Sequence, residues 1–99
     1  MASDKDTPRV EHHPERQRFE ILIGDEVAGF AEYRQEGENV VMPHTVVNPD
    51  HEGEGLGSQL ARFALDDIRA AGKQVVPSCA FIRGYIGKHA EYADLVAQG

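Results

Sequence analysis

The chain has 99 residues, which is enough for one compact domain and too few for two with separate cores. Its ten Lys and Arg against seventeen Asp and Glu give a formal net charge of -7, the wrong sign for a protein that neutralises nucleic-acid phosphates. The single Cys excludes an internal disulfide, and no apolar run approaches the length of a membrane span. We therefore expect a soluble cytoplasmic domain, whose acidic surface serves solubility alone or favours a cationic substrate such as an amine.

The N-terminal segment is polar and shows no periodicity. We expect residues 1–14 to form a flexible polar tail and residues 15–99 to form a single small domain. His12 and His13 are adjacent but have no partner motif, so we assign no metal site to them.

Three strands are predicted after this tail. Apolar side chains alternate over residues 19–23, Gly and Asp at 24–25 suit a two-residue turn, and residues 27–33 form the returning strand. The segment VVMPHTVV, residues 40–47, is the third strand. Because Pro43 cannot donate to a strand ladder, it predicts either an edge or a bulge.

A helix is predicted directly after a glycine-rich segment. Apolar residues recur at the three-and-four spacing of one helix face: Leu56, Leu60, Phe63, Ala64 and Ile68. Gly72 supplies the C-terminal stop of this helix. Residues 73–78 then predict a short buried strand, and residues 80–96 predict one or two short helices.

The glycine-rich segment HEGEGLGSQL, residues 51–60, favours a phosphate-binding turn. The first N–H groups of a helix have no intrahelical partner, and the helix dipole favours negative charge there. An ATP-type P-loop would need a Lys, and a dinucleotide fingerprint would need a glycine at Ser58 within a βαβ unit, so both fit poorly. The residues alone leave open the alternative that the glycines only form a tight turn and a helix start.

Three motifs, in order along the chain, resemble the GCN5-related N-acetyltransferase superfamily, and most closely its small single-domain YjdJ-like branch. The superfamily loop [RQ]-x-x-G-x-[GA] is matched by residues 52–57 except at Glu52, where the branch pattern E-G-x-G-[LI]-G has Glu. The strings V-V-P-x-C-x-[FY] and H-x-E-Y-x-D-L-V are matched at residues 75–81 and 89–96. The resemblance covers residues 17–96.

The resemblance implies an α+β fold, an α/β three-layer arrangement with a mixed, mostly antiparallel sheet that is flanked by helices and splayed where acetyl-CoA enters. It implies acetyl-CoA as the cofactor, with the pantetheine arm paired to the backbone of Val46 and Val47. The loop residues assigned to the cofactor are Glu52, Gly53, Glu54, Gly55, Leu56, Gly57 and Ser58, with the pyrophosphate on the N–H groups from Gly53 to Ser58. Arg83 and Lys88 are assigned to the 3′-phosphate, and Tyr85 is placed beside the cofactor.

Cys79 is the first catalytic candidate. It precedes a predicted helix start, whose dipole would stabilise a thiolate, and the branch places its cysteine beside the acetyl group. Its role is open between a covalent acyl carrier, a proton relay and a pocket wall. His44 is the candidate to relay the amine's proton, unless it only hydrogen-bonds the distortion at Pro43. Tyr85 and Tyr92 are candidates to protonate the departing CoA thiolate, with core packing as the alternative.

The resulting functional prediction is an acetyl-CoA-dependent N-acetyltransferase that acts on a primary amine of a small molecule or a lysine side chain. The alternative is a CoA-binding or protein-interaction module of the same fold without turnover, since so short a chain has few segments to enclose an acceptor. We expect no nucleic-acid partner, no membrane partner and no metal, and a monomer or weak dimer.

Overall fold

The computed structural model describes residues 7–51, 53 and 55–97, which form a five-stranded sheet and two α-helices. The strands are β1 (Arg9–His13), β2 (Arg18–Ile23), β3 (Glu26–Glu36), β4 (Asn39–Val47) and β5 (Gln74–Val76). The helices are α1 (Leu56–Ala70) and α2 (Ala80–Lys88), and 3-10 turns span Pro14–Arg16, Pro49–His51 and Ala90–Leu95. Within these residues, neither α-helix is long and apolar enough to cross a bilayer.

The sheet is mixed and mostly antiparallel, with its strands in chain order. β1 to β4 pair antiparallel as a meander, whereas β5 pairs parallel to β4 after the α1 crossover. The predicted α+β class, the hairpin of β2 and β3 and the short strand after the helix are therefore confirmed.

The predicted irregularity at the proline of β4 is a bulge. Glu32 pairs with His44 and Arg34 pairs with Val41, so two residues of β4 lie opposite one residue of β3. A bulge tolerates proline because the extra residue has no ladder hydrogen bond to lose. β4 is an interior strand only at residues 39–41, which also pair with β5.

One apolar core lies between the sheet and both helices. The largest fully buried side chains come from all of these elements: Phe19, Ile21, Met42, Leu56, Leu60, Leu65, Val75 and Ile82. α1 buries its predicted face except at Phe63, which is 39% exposed and meets the Phe19 ring edge-on. Because α1 and α2 contribute to this single cluster, they cover the same face of the sheet, and the described residues form no third layer.

The opposite face of the sheet, called the open face below, carries no helix among the described residues. Strand alternation places on it the side chains that point away from the core. The open face is centred on two cross-strand rows: Arg18, Glu32 and His44, then Glu20, Phe30 and Val46.

The prediction of a flexible tail over residues 1–14 is wrong for residues 9–13, which lie in a strand. Residues 9–13 form β1 and pair with β2 along the whole strand. Val10 packs against the core, and the His12 ring stacks on Phe19 with the ring centroids 4.4 Å apart. An edge strand needs apolar or aromatic side chains only at alternate positions. The polar composition of the N-terminal segment therefore gave no indication of β1. The domain therefore includes β1, and residues 1–6 lie outside the described residues.

Candidate functional site

The loop between β4 and α1 turns through two glycines with left-handed backbone. The Asn48 side-chain oxygen starts the turn by accepting a backbone N–H two residues later at 2.9 Å. Gly53 and Gly55 have φ angles of +85° and +74°, a region that residues with a Cβ rarely adopt. Of the loop residues predicted to hold the cofactor, Glu52 and Glu54 lie outside the described residues.

α1 begins at the end of this loop, and its first turn faces a cavity. Gly55 is the N-cap and has no side chain with which to cap the helix, while its carbonyl accepts the Gln59 N–H at 3.2 Å. The N–H groups of Leu56, Gly57 and Ser58 are left without intrahelical acceptors. The adjoining cavity of about 320 Å³ is lined by Val47, His51, Gly53, Gly55, Leu56, Gly57, Ser58 and Phe81. This arrangement suits an anionic group at the helix N-terminus.

The third glycine of the segment, Gly57, is required for a different structural reason. A Cβ added to Gly57 would lie 2.7 Å from the Phe81 ring, whereas a Cβ on Gly53 or Gly55 would meet nothing within 4 Å. Phe81 is 43% exposed and lines the cavities on both sides of this contact. The Gly57 backbone thus makes room for an aromatic ring of α2, while the other two glycines permit the turn.

The later part of β4 has an open edge beside this loop. Pairing with β5 ends at Val41 opposite Val76, and the Cys79 N–H then donates to the Met42 carbonyl at 2.9 Å. From residue 43 to residue 47, the described residues offer no strand partner on that side. Val46 and Val47, the predicted pantetheine partners, lie on this open edge.

Cys79 lies where the two strands separate, as the N-cap of α2. Partial burial raises the pKa of its thiol, but the backbone of Ile82, the side chain of Thr45 and the backbone of Phe81 outweigh that effect, and the net pKa is lowered. Its side chain makes no capping hydrogen bond of normal geometry, so these groups act on the thiolate mainly as nearby dipoles. Cys79 is partly exposed and packs against the core.

Thr45 was missed by sequence reasoning. Its hydroxyl oxygen is buried and has no hydrogen-bond partner among the described residues, although it lies close enough to Cys79 to lower the thiol's pKa. A buried hydroxyl without a partner is unusual in a folded protein. The signal in the sequence is weak, because a Thr in a strand is ordinary.

The two candidate tyrosines have different surroundings. Tyr85 is largely buried, its ring stacks on His89 at 4.0 Å between centroids, and it borders two cavities. Burial raises the pKa of Tyr85 despite the opposing charge of Arg62, so its hydroxyl stays protonated at neutral pH. Tyr92 instead donates to Asp66 at 2.6 Å, and this hydrogen bond, with burial, raises the pKa of Tyr92 to about 12. Its hydroxyl therefore fastens the C-terminal 3-10 turn to α1.

The predicted 3′-phosphate ligands, Arg83 and Lys88, have different surroundings. Lys88 borders a cavity of about 210 Å³ beside Ser58 and α2. Arg83 donates from Nη1 to the carbonyls of Pro77 and Ser78, at 3.1 and 2.9 Å, and braces the turn before α2. A larger cavity of about 640 Å³ continues from Ser58 along α1 and brings in two polar residues that the sequence analysis did not select, Arg62 and His89.

His44 lies on the open face, away from the glycine loop's cavity. It is exposed, and Glu32 is its direct cross-strand neighbour on β3. Glu32 carries no local sequence signal for a role beside His44, because the pairing of β3 with β4 depends on the bulge. The structure thus places an imidazole and a carboxylate side by side on the face opposite α1.

The comparisons with known proteins agree with this architecture. Residues 18–95 match the family described as GCN5-related N-acetyl-transferase. No protein of curated function matches the sequence significantly.

Among solved structures, a GCN5-like candidate N-acetyltransferase from Staphylococcus aureus has a TM-score of 0.71 at 21% identity, covering 92% of this chain and 89% of that chain. The ribosomal-protein-S18-alanine N-acetyltransferase from Escherichia coli has a TM-score of 0.62 at 21% identity. A candidate acetyltransferase of the GNAT family from Desulfovibrio desulfuricans has a TM-score of 0.57 at 20% identity. Each of the last two matches covers 73% of this chain. The same matches cover 50% of the Escherichia coli protein and 52% of the Desulfovibrio desulfuricans protein.

At these identities the structural matches establish the fold, and the family match covers most of the chain. The protein belongs to the GCN5-related N-acetyl-transferase family.

Proposed function

We propose that the protein transfers the acetyl group of acetyl-CoA to a primary amine. The observation that carries the proposal is the alignment of an uncapped helix N-terminus, the open edge of β4 and the Cys79 thiol along one side of the sheet. A phosphate fits the first of these features, an extended amide-containing arm fits the second, and a thioester fits the third.

The residues present fit the cofactor at both ends. The unpaired N–H groups of Leu56, Gly57 and Ser58 would donate hydrogen bonds to the pyrophosphate, and the free backbone of Val46 and Val47 would pair with the pantetheine amides. Arg62, Lys88 and His89 border the cavities that continue from Ser58, and we assign the 3′-phosphate to this group in place of Arg83.

Bound acetyl-CoA supplies a thioester whose acyl carbon is open to attack by an amine. In the transfer, the C–N bond forms and the C–S bond breaks, one proton leaves the amine, and CoA departs as a thiol. We assign the amine's proton to the neighbouring side chains of Glu32 and His44, so that the acceptor approaches from the open face. Tyr85, which keeps its proton at neutral pH, is the candidate donor to the departing thiolate.

Cys79 and Thr45 lie at the thioester end of this path. The unpartnered Thr45 hydroxyl is positioned to donate to the Cys79 sulfur or to a bound carbonyl oxygen, which would stabilise developing negative charge. We assign Cys79 to the pocket beside the acetyl group, with acyl transfer through its sulfur as the alternative that the experiment below separates.

The second candidate is a CoA-binding module without turnover. It is favoured by the open face, since no helix among the described residues covers an acceptor there. A protein of this kind would bind acetyl-CoA at the same loop and release no CoA in the presence of amines.

Turnover is tested by following free CoA thiol during incubation with acetyl-CoA and a panel of primary amines. We expect amine-dependent release of CoA and an acetylated product of the added amine by mass spectrometry. Cys79→Ala is compared with Ser78→Ala, a neighbouring exposed side chain. Loss of activity only in Cys79→Ala, with acetylated Cys79 trapped in the wild type, supports acyl transfer through sulfur; normal turnover leaves Cys79 as a pocket wall. Saturable acetyl-CoA binding with no amine-dependent release contradicts the enzymatic proposal.

A further inference from the structure

A separate cavity lies on the open face, on the side of the sheet opposite α1. It has a volume of about 390 Å³, and its walls include Arg16, Arg18, Glu20, Phe30, Val46 and Asn48. Val46 belongs both to this cavity and to the open edge of β4. A ligand in the cavity would therefore lie across β4 from the predicted pantetheine path.

Two guanidinium groups are held in this cavity by one buried carboxylate. The Glu20 side chain is only 5% exposed, and its oxygens lie 3.4 Å from Arg16 Nη1 and 3.6 Å from Arg18 Nε. The Arg18 guanidinium is also stacked over the Phe30 ring, 3.9 Å from its centroid. Glu20 therefore orients both arginine side chains, and the Phe30 ring further fixes the plane of the Arg18 guanidinium.

These contacts leave hydrogen-bond donors for a ligand. Arg18 Nε is buried without a hydrogen-bond partner, because its contact with Glu20 is too long to be a good hydrogen bond. Among the described residues, the terminal nitrogens of Arg18 donate no hydrogen bond. A guanidinium fixed flat on an aromatic ring presents its outer edge for planar recognition of a carboxylate or phosphate.

The charges around the cavity define where such an anion can bind. Arg16, Arg18 and Glu20 sum to one positive charge within the cavity walls. Glu26 lies near the Asn48 end but already accepts from Asn48 at 3.4 Å. Glu32 is the direct cross-strand neighbour of Arg18, in the row that continues to His44. On the other side of β2, Glu11 of β1 is the cross-strand neighbour of Glu20, and its carboxylate pairs with His13 at 3.0 Å. The positive charge at the cavity is therefore confined to the two arginines, which lie between the carboxylates of β1 and β3.

We propose that this face selects acceptors, binding small amines that also carry a carboxylate or a phosphate. The inference rests on the proposed function, because it identifies the acceptor of that reaction. The amine lies at Glu32 and His44, and the anionic group lies at Arg16 and Arg18. Arg18 lies one strand spacing from Glu32 and two from His44, so the nitrogen and the anion are on the order of 5–10 Å apart. The acidic chain as a whole attracts the ammonium end, while the arginine pair reads the anionic end.

The test compares chemically matched acceptors in the CoA-release assay. The acceptors are 6-aminohexanoate, 5-aminopentylphosphonate and hexylamine, which share an aliphatic primary amine and differ in the anionic group. We expect the two anionic amines to have kcat/KM values at least about tenfold above that of hexylamine, through KM, in line with the loss of one charge-assisted hydrogen bond. The relative values of the carboxylate and phosphonate separate the two kinds of anion.

Arg16→Gln is the test variant, because Arg16 is largely exposed and its loss spares the core. Arg34→Gln is the matched control, an exposed arginine of β3 that pairs with Glu36. The preference for anionic amines should disappear in Arg16→Gln and persist in Arg34→Gln, with hexylamine turnover unchanged in both. Equal use of all three amines by the wild type, or an intact preference in Arg16→Gln, overturns the inference while the acetyltransferase proposal stands.

A second readout is independent of catalysis. Inorganic phosphate is titrated into the protein without CoA, and amide chemical shifts are followed by NMR. We expect saturable shifts at Phe30 and Val46 in the wild type that are weakened in Arg16→Gln. Shifts confined to the glycine loop, or no shifts, contradict the anion site, whereas a protein that binds phosphate here but never releases CoA contradicts only the proposed reaction.

Discussion

Alanine at Gly55 should lower stability, whereas alanine at Gly57 should leave stability nearly unchanged and weaken acetyl-CoA binding, although only one residue separates the two glycines. At Gly55 the φ angle is +74° and an added Cβ meets nothing within 4 Å, so the whole cost is conformational. That cost is about 1–2 kcal/mol for an L-residue in the left-handed region, which lowers the urea midpoint by roughly 0.5–1 M. At Gly57 the backbone is helical and the added Cβ collides with the far end of the Phe81 ring, 2.7 Å away.

Phe81 is exposed enough to move, and Ala has a better helix propensity than Gly. We therefore expect Gly57→Ala to unfold within about 0.5 kcal/mol of the wild type. Its effect should appear in acetyl-CoA affinity, because the displaced ring enters the cavities at the start of α1, and Phe81→Ala should restore binding in the double variant.

The assay is urea unfolding followed by circular dichroism, with acetyl-CoA titration of each folded variant. Gly55→Asn is the control, because Asn tolerates the left-handed region better than Ala and should recover part of the lost stability. The reasoning is refuted if Gly57→Ala is the more destabilised variant, or if Gly55→Asn and Gly55→Ala lose the same stability.

Three further predictions concern single contacts. Thr45→Val should raise the Cys79 pKa, because it removes a dipole that favours the thiolate, and the pH profile of iodoacetamide alkylation measures the shift. The pKa of Tyr92 is raised to about 12 in the folded state, whereas it is about 10 in the unfolded chain. The protonated hydroxyl therefore stabilises the fold fully at pH values below about 10. That contribution is lost as the pH rises from about 10 to about 12, so the unfolding free energy of the wild type should fall more steeply over this range than that of Tyr92→Phe. Lys88→Gln should weaken CoA binding by about fivefold or more and leave dephospho-CoA binding unchanged, in a calorimetric titration.

Each of these predictions has a variant that separates the contact from general damage. Thr45→Ser keeps the hydroxyl and should keep the lowered Cys79 pKa. An alkylation pH profile in Thr45→Val that matches the wild type would show that the Thr45 hydroxyl does not lower the Cys79 pKa. Parallel pH slopes for Tyr92→Phe and wild type would show that the tyrosine hydrogen bond does not carry this pH dependence. Lys73→Gln, at the end of the α1 crossover, is the control for the loss of one positive charge. An equal loss of CoA affinity in Lys73→Gln would show that Lys88 acts only through long-range charge and does not contact the 3′-phosphate.

The fold was largely predictable because its elements carry local signals. Alternation identified β2 and β3, three-and-four spacing identified α1, and the valines of β5 identified a short buried strand. β1 was not predictable in this way, because its pairing depends on a few side chains such as Val10 and His12 that meet the core only after the sheet has formed.

The site was predictable only where a motif is contiguous in sequence. The glycine loop and Cys79 belong to such motifs, and they lie at the start of α1 and at the N-cap of α2. Thr45 and Glu32 were missed, because their significance depends on the bulge that sets the register between β3 and β4. Arg83 was selected by charge alone, and charge could not show that its guanidinium donates to two backbone carbonyls.

The central claim is that the first turn of α1 and the open edge of β4 together hold acetyl-CoA. The most direct measurement is an NMR titration of the labelled protein with acetyl-CoA, with ATP and NAD as controls. We expect saturable amide shifts at Gly55, Gly57 and Ser58 and at Val46 and Val47 with acetyl-CoA, and none at equal concentrations of the controls. Absence of binding, or shifts of the same size and position with all three ligands, would contradict it.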